Sequence, residues 1–275
     1  MRPYLELRLY ARPEHMELLL AELWEWGFEG FEEDESLLRA YKPASEKDPD
    51  AEELLGLLRR WDPELRLELR RLEPEDWLSR WAELFEPVAV TPFWVRPPWK
   101  PAQVPEGHVE LIIEPKMAFG TGHHASTRLV LRLLARWLRP GARMLDVGTG
   151  TGILAIGAIK LGAARAVAVD IDEFACENAR ENARLNKVED RLEVRLGSLE
   201  AVSERGFDLI TANLTRSAIE ELLPELLRRR ARRAPMVWSG LLASDEPLLQ
   251  KTLHTHRLTL IERQAEQEWV AWVVR

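Results

Sequence analysis

The sequence lacks what membrane, secreted and disordered proteins require. It has one cysteine in 275 residues, Cys176, so no disulfide framework can form within the chain. No stretch approaches the roughly 18 uninterrupted apolar residues of a membrane span, and charged residues follow the first methionine too closely for a signal peptide. With 46% hydrophobic residues, the chain is too apolar to be disordered. We therefore expect a soluble, cytoplasmic protein of one or two globular domains.

Basic residues are scarce in the N-terminal third of the chain. Residues 1–87 contain 12 basic and 23 acidic side chains, a net charge of −11, whereas residues 88–275 contain 26 and 23, a net charge of +3. The total of −8 argues against a protein that coats nucleic acid. The acidic third is open to two interpretations, an ordinary solvated surface and a surface that attracts a basic partner.

Residues 1–72 carry the pattern of four short strands and two helices. Apolar residues alternate over 3–11 and 65–72, as in half-buried strands, and follow the helical period over 15–26. Asp50 is the predicted N-cap of a second helix. The order βαββαβ predicts a ferredoxin-like α+β domain. RNA-recognition domains share this order but need aromatic residues beside basic charge, and the predicted hairpin here carries four acidic residues, Glu32, Glu33, Asp34 and Glu35.

A linker is predicted to follow this domain. Trp77, Trp81 and Leu84 are spaced by four and three residues, which places them on one face of an amphipathic helix. Five prolines over 91–107 then oppose regular structure and mark an ordered loop or edge strand. The sequence therefore divides into a ferredoxin-like domain at 1–72, a linker helix at 73–86 and a second domain at 87–275.

The second domain alternates strands and helices, beginning with a predicted strand at 108–114. Its strands are apolar without alternation, as expected of a parallel sheet covered by helices on both faces. This pattern predicts a doubly wound, Rossmann-like α/β domain. Ligands of such domains bind at the carboxyl ends of the strands.

The strongest local signal is a glycine-rich turn. A buried strand leads into Gly148, Gly150 and Gly152 and then into a helix, so a ligand can approach the backbone closely. The dinucleotide pattern needs a further glycine where Ile153 stands, which argues against NAD oxidoreduction. Asp146 precedes the glycines and would repel a pyrophosphate, whereas S-adenosylmethionine has no phosphate and carries a sulfonium cation. A tight turn that binds nothing is the alternative.

Residues at later strand ends are candidate ligands of the same cofactor. Asp170 ends the next strand, 22 residues after Gly148, where an acidic side chain accepts hydrogen bonds from ribose hydroxyls. Asp172 is the predicted N-cap of the following helix, and Ser198 is a weaker candidate for the adenine edge. Asn213 ends a strand facing the glycine turn.

Asn213 stands where enzymes that methylate amide or amine nitrogen often carry Asn/Asp-Pro-Pro-Tyr/Phe. We therefore predict that its side-chain oxygen orients the nitrogen that receives the methyl group. Leu214, Thr215 and Arg216 replace the rest of that motif, so no stacking aromatic residue is evident nearby.

The segment 114–128, EPKMAFGTGHHASTR, is a glycine-flanked loop before a helix. Phe119 is a candidate to lie over the sulfonium, and Ser126 or Thr127 is predicted to begin the helix with its hydroxyl inward. Adjacent histidines point apart on regular backbone, so a metal site at His123 and His124 is disfavoured.

Two other features have plain interpretations. Cys176 lies within a predicted helix and is expected to be buried. The basic run 228–233 is predicted to end a helix favourably against its dipole, with contact to nucleic acid as the alternative.

Four segments and their order resemble the bacterial methyltransferases of large-subunit ribosomal protein eleven: EPKMAFGTGHHASTR, LDVGTGTGILAI, VDIDEFACENARENARLN and FDLITANL, preceded by DWLSRW. The resemblance is dense over residues 76–214 and mainly architectural over 1–72. Two departures concern turn geometry: Lys116 stands where relatives often have glycine, and RRARRAPMVWSGLL lacks the usual glycine pair.

The resemblance implies a seven-stranded S-adenosylmethionine-dependent N-methyltransferase domain behind a substrate-recognition domain. It implies trimethylation of lysine side chains and the N-terminal amine of a basic, lysine-rich ribosomal protein. The implied cofactor residues are Thr127, Gly148, Asp170 and Asn213, with Phe119 as an aromatic neighbour. Gly150 of the glycine turn is a further candidate for the cofactor. We expect a monomer that needs no metal, membrane or nucleic acid. Methylation of another protein, RNA or a metabolite, and a non-catalytic cofactor-binding module, stay open.

Overall fold

The computed structural model describes residues 3–12, 15–28, 30–34, 37–45, 48, 50–72, 85–100, 104–116 and 118–275. The chain divides into two compact units, Met1–Leu84 and Phe85–Arg275. Most of the predicted linker helix, including Trp77, Trp81 and Leu84, lies outside the described residues. No described helix is long and apolar enough to cross a membrane.

Within its described residues, the first unit contains one four-stranded sheet and two α-helices. Its sheet has the order β2-β3-β1-β4, with antiparallel pairing between neighbours. This chain order, βαββαβ, is the predicted one. The elements are β1 (Tyr4–Tyr10), α1 (Met16–Glu25), β2 (Gly30–Asp34), β3 (Leu37–Pro43), α2 (Ala51–Leu58) and β4 (Arg66–Leu72).

Alternation and capping explain these elements. Leu7 and Leu9 of β1 are buried in a core with Leu19 and Leu23 of α1, because residues two apart on a strand share one face. Asp50 caps α2 as predicted, since its carboxylate accepts a hydrogen bond from the backbone N–H of Glu53, the third residue of the helix.

The described part of the second unit contains a seven-stranded sheet, a three-stranded sheet and five α-helices. Its elements are β5 (Val88–Val90), β6 (Phe93–Arg96), β7 (Val109–Ile112), α3 (Ala125–Trp137), β8 (Arg143–Val147), α4 (Ile153–Lys160), β9 (Arg165–Asp170), α5 (Glu173–Leu185), β10 (Leu192–Leu196), β11 (Leu209–Asn213), α6 (Arg216–Arg229), β12 (Met236–Leu242), α7 (Glu246–His256), β13 (Leu260–Glu266) and β14 (Trp269–Val274).

The large sheet has the order β10-β9-β8-β11-β12-β14-β13. Strands β8 to β12 are parallel, and β14 runs antiparallel to both of its neighbours. Apolar residues of α3 and α4 pack on one face of the sheet and those of α6 and α7 on the other. The doubly wound, seven-stranded α/β prediction is therefore confirmed.

One predicted strand does not belong to the seven-stranded sheet. The segment 108–114 does contain a strand, β7, but it pairs with β6 in the separate three-stranded sheet β5-β6-β7. The proline-rich segment before it is correspondingly part strand, since β6 lies within 91–107. Chain order alone does not reveal which sheet an isolated apolar strand joins.

The chain reverses its direction of strand addition between β8 and β11, which are neighbours in the sheet. Connections diverge to opposite faces at such a point and leave a crevice at the carboxyl ends of the two strands. The predicted cofactor residues Gly148 and Asn213 follow or end these strands.

Candidate functional site

The glycine turn follows β8 and has a backbone conformation that residues other than glycine rarely adopt. Gly148 and Gly150 have φ of +71° and +55°. A Cβ atom on Gly148 would overlap the side chain of Leu214, and one on Gly150 would overlap the carbonyl oxygen of Phe119. Gly150 therefore requires glycine because backbone packs directly against it, whereas at Gly148 the positive φ is the main constraint, since the Leu214 side chain can move.

Asp146 lies beneath this turn and is fully buried. One carboxylate oxygen accepts a hydrogen bond from the Thr149 hydroxyl at 2.7 Å and the other from the Thr211 hydroxyl at 2.5 Å. Burial raises the pKa of Asp146 to about 6. The expectation that this carboxylate suits a cationic cofactor needs correction, because the Asp146 side chain is fully buried and each of its oxygens bonds to a threonine inside the protein. Asp146 joins β8, β11 and the turn.

Asp170 ends β9 and is joined to the glycine turn. One carboxylate oxygen accepts a hydrogen bond from the Gly150 N–H at 2.8 Å, and the other accepts from the Asp172 N–H at 3.1 Å. Asp172 in turn caps α5 as predicted, by accepting from the Phe174 N–H. A carboxylate has about four acceptor positions, so Asp170 can still accept from hydroxyl groups.

An apolar surface beside Asp170 escaped the sequence-based predictions. The side chains of Ile171 and Phe174 are 79% and 77% exposed, an unusual exposure for large apolar residues. The sequence could have indicated this surface, because Ile171 directly follows Asp170, the residue predicted to bind the ribose. Nearby, Ser198 donates its backbone N–H to Glu200, and no contact of its hydroxyl bears on the adenine prediction.

Asn213 and Thr127 meet across the crevice. The Asn213 amide nitrogen lies 3.5 Å from the Thr127 hydroxyl, which belongs to the first turn of α3 and is buried. The Asn213 side-chain oxygen is buried and has no hydrogen-bond partner among the residues that the structure describes. An unsatisfied buried acceptor is costly, so its presence at this strand end points to a donor supplied from outside the chain.

The loop before α3 is held against the glycine turn. The Thr151 N–H donates to the Phe119 carbonyl at 2.9 Å, and the Thr151 hydroxyl donates to the Gly120 carbonyl at 2.5 Å. The Phe119 ring is 54% exposed and meets the His124 ring edge-on at 5.2 Å. The structure thus places five predicted site residues near the carboxyl ends of the parallel strands: Phe119, Gly150, Asp170, Thr127 and Asn213.

The two adjacent histidines have separate structural partners. His124 caps α3, because its Nδ1 accepts from the Ser126 N–H at 3.2 Å. The prediction that Ser126 or Thr127 begins the helix was therefore wrong, although both hydroxyls are buried as expected. His123 Nε2 lies 2.9 Å from the Glu86 carbonyl oxygen. Within the described ranges, no group of three or more metal-binding side chains is present.

A ladder of three buried asparagines on α5 and its C-terminal end was not predicted. Asn178 and Asn182 donate to the Glu114 carbonyl, and Asn182 also accepts from the Glu114 N–H and donates to the Thr151 carbonyl. Asn186 accepts from the Ile112 N–H and donates to its carbonyl. Their spacing of four residues was the available signal. The ladder fixes the loop before α3 relative to the glycine turn.

Both sequence departures occur at left-handed positions. Lys116 has φ of +28° and pairs with Glu181 of α5. Arg233 has φ of +57° in the turn before β12. Each residue therefore takes a conformation that glycine adopts at lower cost. Cys176 is fully buried as predicted, and α6 ends within the basic run 228–233.

Comparison with known proteins gives a consistent result. The profile of the family described as "Ribosomal protein L11 methyltransferase (PrmA)" matches residues 15–275. Proteins named ribosomal protein L11 methyltransferase are 38% identical in Porphyromonas gingivalis, over 93% of this chain and 89% of the relative, and 43% identical in Thermus thermophilus, over 71% and 76%. The crystal structure of ribosomal protein L11 methylase from Lactobacillus delbrueckii subsp. bulgaricus aligns with a TM-score of 0.65 at 26% identity, covering 70% of this chain and 98% of that one.

Proposed function

Because the chain belongs to the ribosomal protein L11 methyltransferase family, we propose that it methylates lysine side chains and the N-terminal amine of ribosomal protein L11, up to the trimethylated state. S-adenosylmethionine is the methyl donor of this family and fold. The observation that supports the proposal is the Asn213 side-chain oxygen, which is buried beside the glycine turn without a hydrogen-bond partner among the described residues.

The residues at this edge of the sheet fit S-adenosylmethionine. Gly148 and Gly150 would let the cofactor lie against the backbone, since neither residue has a side chain. Asp170 would accept from the ribose hydroxyls with its remaining acceptor positions. The exposed side chain of Ile171 offers an apolar face to the adenine, and the Phe119 ring offers a cation–π contact of about 0.5 to 2 kcal/mol to the sulfonium.

The protein's part in the transfer is alignment. The bound cofactor supplies an electrophilic methyl group on a sulfonium sulfur. A free lysine amine has a pKa of about 10.4, so the site must accept the minor neutral form, whose lone pair would attack the methyl carbon while the carbon–sulfur bond breaks and S-adenosylhomocysteine leaves. In the first two transfers the Asn213 oxygen would accept an N–H of that amine and so fix the direction of its lone pair, with Thr127 beside the Asn213 amide. The dimethylated amine has no N–H, so Asn213 would align it only by contact in the third transfer.

The acidic N-terminal third has a role in this proposal. A net charge of −11 over residues 1–87 attracts a basic ribosomal protein and raises its association rate by electrostatic steering. Deletion of residues 1–72 should therefore abolish methylation of the protein while S-adenosylmethionine still binds with unchanged affinity in calorimetry. Full-rate methylation by the shortened chain would disprove recruitment by this unit.

Mass spectrometry of the substrate tests the proposed reaction. Unmodified large ribosomal subunits and free L11 are incubated with the enzyme and S-adenosylmethionine carrying a labelled methyl group. We expect label in L11, in steps of one, two and three methyl groups on lysine and on the N-terminal amine. Label in ribosomal RNA or in another ribosomal protein would overturn the substrate assignment, and cofactor binding without any transfer would indicate a non-catalytic module.

A further inference from the structure

A cavity of about 500 Å³ opens at the end of the seven-stranded sheet opposite to the proposed transfer site. Its wall is formed by the end of α3 and by the residues just before β8, β11 and β12. Strands β8 and β11 are five residues long, or about 17 Å. The cavity is therefore separate from the residues that we assign to methyl transfer.

The cavity wall is strongly basic. Five arginines and one acidic side chain line it: Arg136, Arg139, Arg232, Arg233, Arg275 and Asp208. Most of this charge lacks an internal counterion. Of the five, Arg136 alone has an ion pair among the described residues, with Glu262. Asp208 already accepts a hydrogen bond from the Arg143 N–H at 2.9 Å.

Two guanidinium groups of this region are held by aromatic rings. The Arg275 guanidinium lies 4.9 Å from the centre of the Trp137 ring, and its buried Nε has no hydrogen-bond partner within the described part of the chain. The Arg143 guanidinium, next to the cavity wall, lies 5.3 Å from the centre of the Phe207 ring. Stacked guanidinium groups keep their planar donor forks pre-organised for phosphate oxygens.

From these features we propose that the arginine-lined cavity binds the phosphate groups of a single-stranded RNA. Arginine recognises phosphate through paired N–H donors, and the cavity volume lies in the range of small-molecule sites, roughly 300 to 1,000 Å³. Four of these arginines have no ion pair among the described residues, and Asp208 offsets one of them, which leaves about three positive charges in the wall. One phosphate carries at most about two negative charges. A strand with successive phosphates matches the set, as in proteins that follow a nucleic-acid backbone with a basic groove.

The site is local to the methyltransferase domain. The acidic charge of the chain belongs to residues 1–87, whereas residues 88–275 have a net charge of +3. The inference does not rest on the proposed methylation, because binding at this end requires neither cofactor nor the transfer residues. Its failure would leave the methyltransferase assignment untouched.

Fluorescence anisotropy of the full chain with a labelled 12-nucleotide RNA tests the site, without cofactor. For three neutralised phosphates, affinity should fall about 20-fold between 50 and 200 mM salt. Replacing Arg139→Gln together with Arg232→Gln should weaken binding at least tenfold at 50 mM salt and reduce the salt effect to about threefold. The matched control is Arg180→Gln with Arg184→Gln, an exposed pair elsewhere on the same domain, which should change binding less than twofold.

Competition identifies the ligand. Unlabelled RNA should displace the probe at far lower phosphate concentration than inorganic phosphate or adenosine monophosphate, and polyglutamate of equal charge should compete poorly. Equal displacement by free phosphate or by polyglutamate would overturn the RNA assignment. Equal losses in the cavity and control variants would overturn the location. A third variant, Arg233→Asn, suits the left-handed backbone at this position and should weaken binding without loss of folding.

Discussion

The two ends of the seven-stranded sheet differ in chemistry although the same strands reach both. At the carboxyl ends of β8, β9 and β11 the chain presents glycine backbone, the carboxylate of Asp170 and the Asn213 oxygen, which has no hydrogen-bond partner in the described part of the chain. At the amino ends of β8, β11 and β12 it presents arginines. The hydrogen-bond acceptors at the carboxyl ends of the strands are thus separated from the arginine donors at the amino ends by the length of a strand. Substitutions that far apart usually act independently.

Among the substitutions that compare the two ends of the sheet, those of glycine should differ most in their effect on methyl transfer. Gly150→Ala places a Cβ on the Phe119 carbonyl oxygen, so the loop before α3 must move; we expect methyl transfer to fall by about 1,000-fold. Gly206→Ala, just before β11, is the matched control because Gly206 has φ of +80° with open space around it. It should lose about 1 kcal/mol of stability from the left-handed backbone and retain activity. If calorimetry gave wild-type S-adenosylmethionine affinity for Gly150→Ala, the proposal that the cofactor lies against the glycine turn would be disproved.

Asn213→Ala should reduce kcat by about 100-fold, the effect of losing alignment of the reacting nitrogen. Cofactor affinity and Tm should change little, since the Asn213 oxygen has no partner within the described protein. Asn213→Asp keeps an acceptor oxygen and should recover part of the rate. Unchanged single-turnover kinetics in Asn213→Ala would remove this residue from the mechanism.

The buried carboxylate of Asp146, near the carboxyl end of β8, should make the free energy of unfolding depend on pH. The pKa of Asp146 is raised to about 6 by burial, above its value of about 3.9 in the unfolded chain. Its protonated form therefore favours folding at low pH, and that contribution is lost as pH rises through 4 to 6. The free energy of unfolding of Asp146→Asn, relative to wild type, should rise by up to about 3 kcal/mol between pH 4 and 7.

Urea unfolding followed by circular dichroism measures this difference. Asp208→Asn is the control at the amino end, where the carboxylate is exposed and accepts from one backbone N–H. We expect it to change stability by less than about 1 kcal/mol. A constant difference between Asp146→Asn and wild type across this pH range would contradict the assigned role of burial.

Local sequence signals predicted most of the elements and much of the candidate site. Asp50 and Asp172 cap their helices because capping depends on residues two or three apart. The glycine turn and the strand ends at Asp170 and Asn213 were likewise readable, because the pattern of each strand and turn lies in one short segment.

What could not be predicted depends on residues far apart in the chain. The direction of the Asp146 carboxylate is set by Thr211, 65 residues away, and Asn182 meets the Glu114 backbone across 68 residues. The pairing of β7 with β6 across the proline-rich segment is similarly non-local. His124 caps α3 with a ring nitrogen, a role that capping preferences assign to Ser, Thr, Asp and Asn.

The asparagine ladder also covers backbone groups beside the outer strand of a sheet. Strand β7 is at the margin of its three-stranded sheet, where unpaired backbone groups would offer a template for a strand of another molecule. Side-chain amides of α5 and the residues after it instead saturate the backbone at Ile112 and Glu114. A helix face here takes the place of a missing strand, and the margin is closed to intermolecular β-sheet growth.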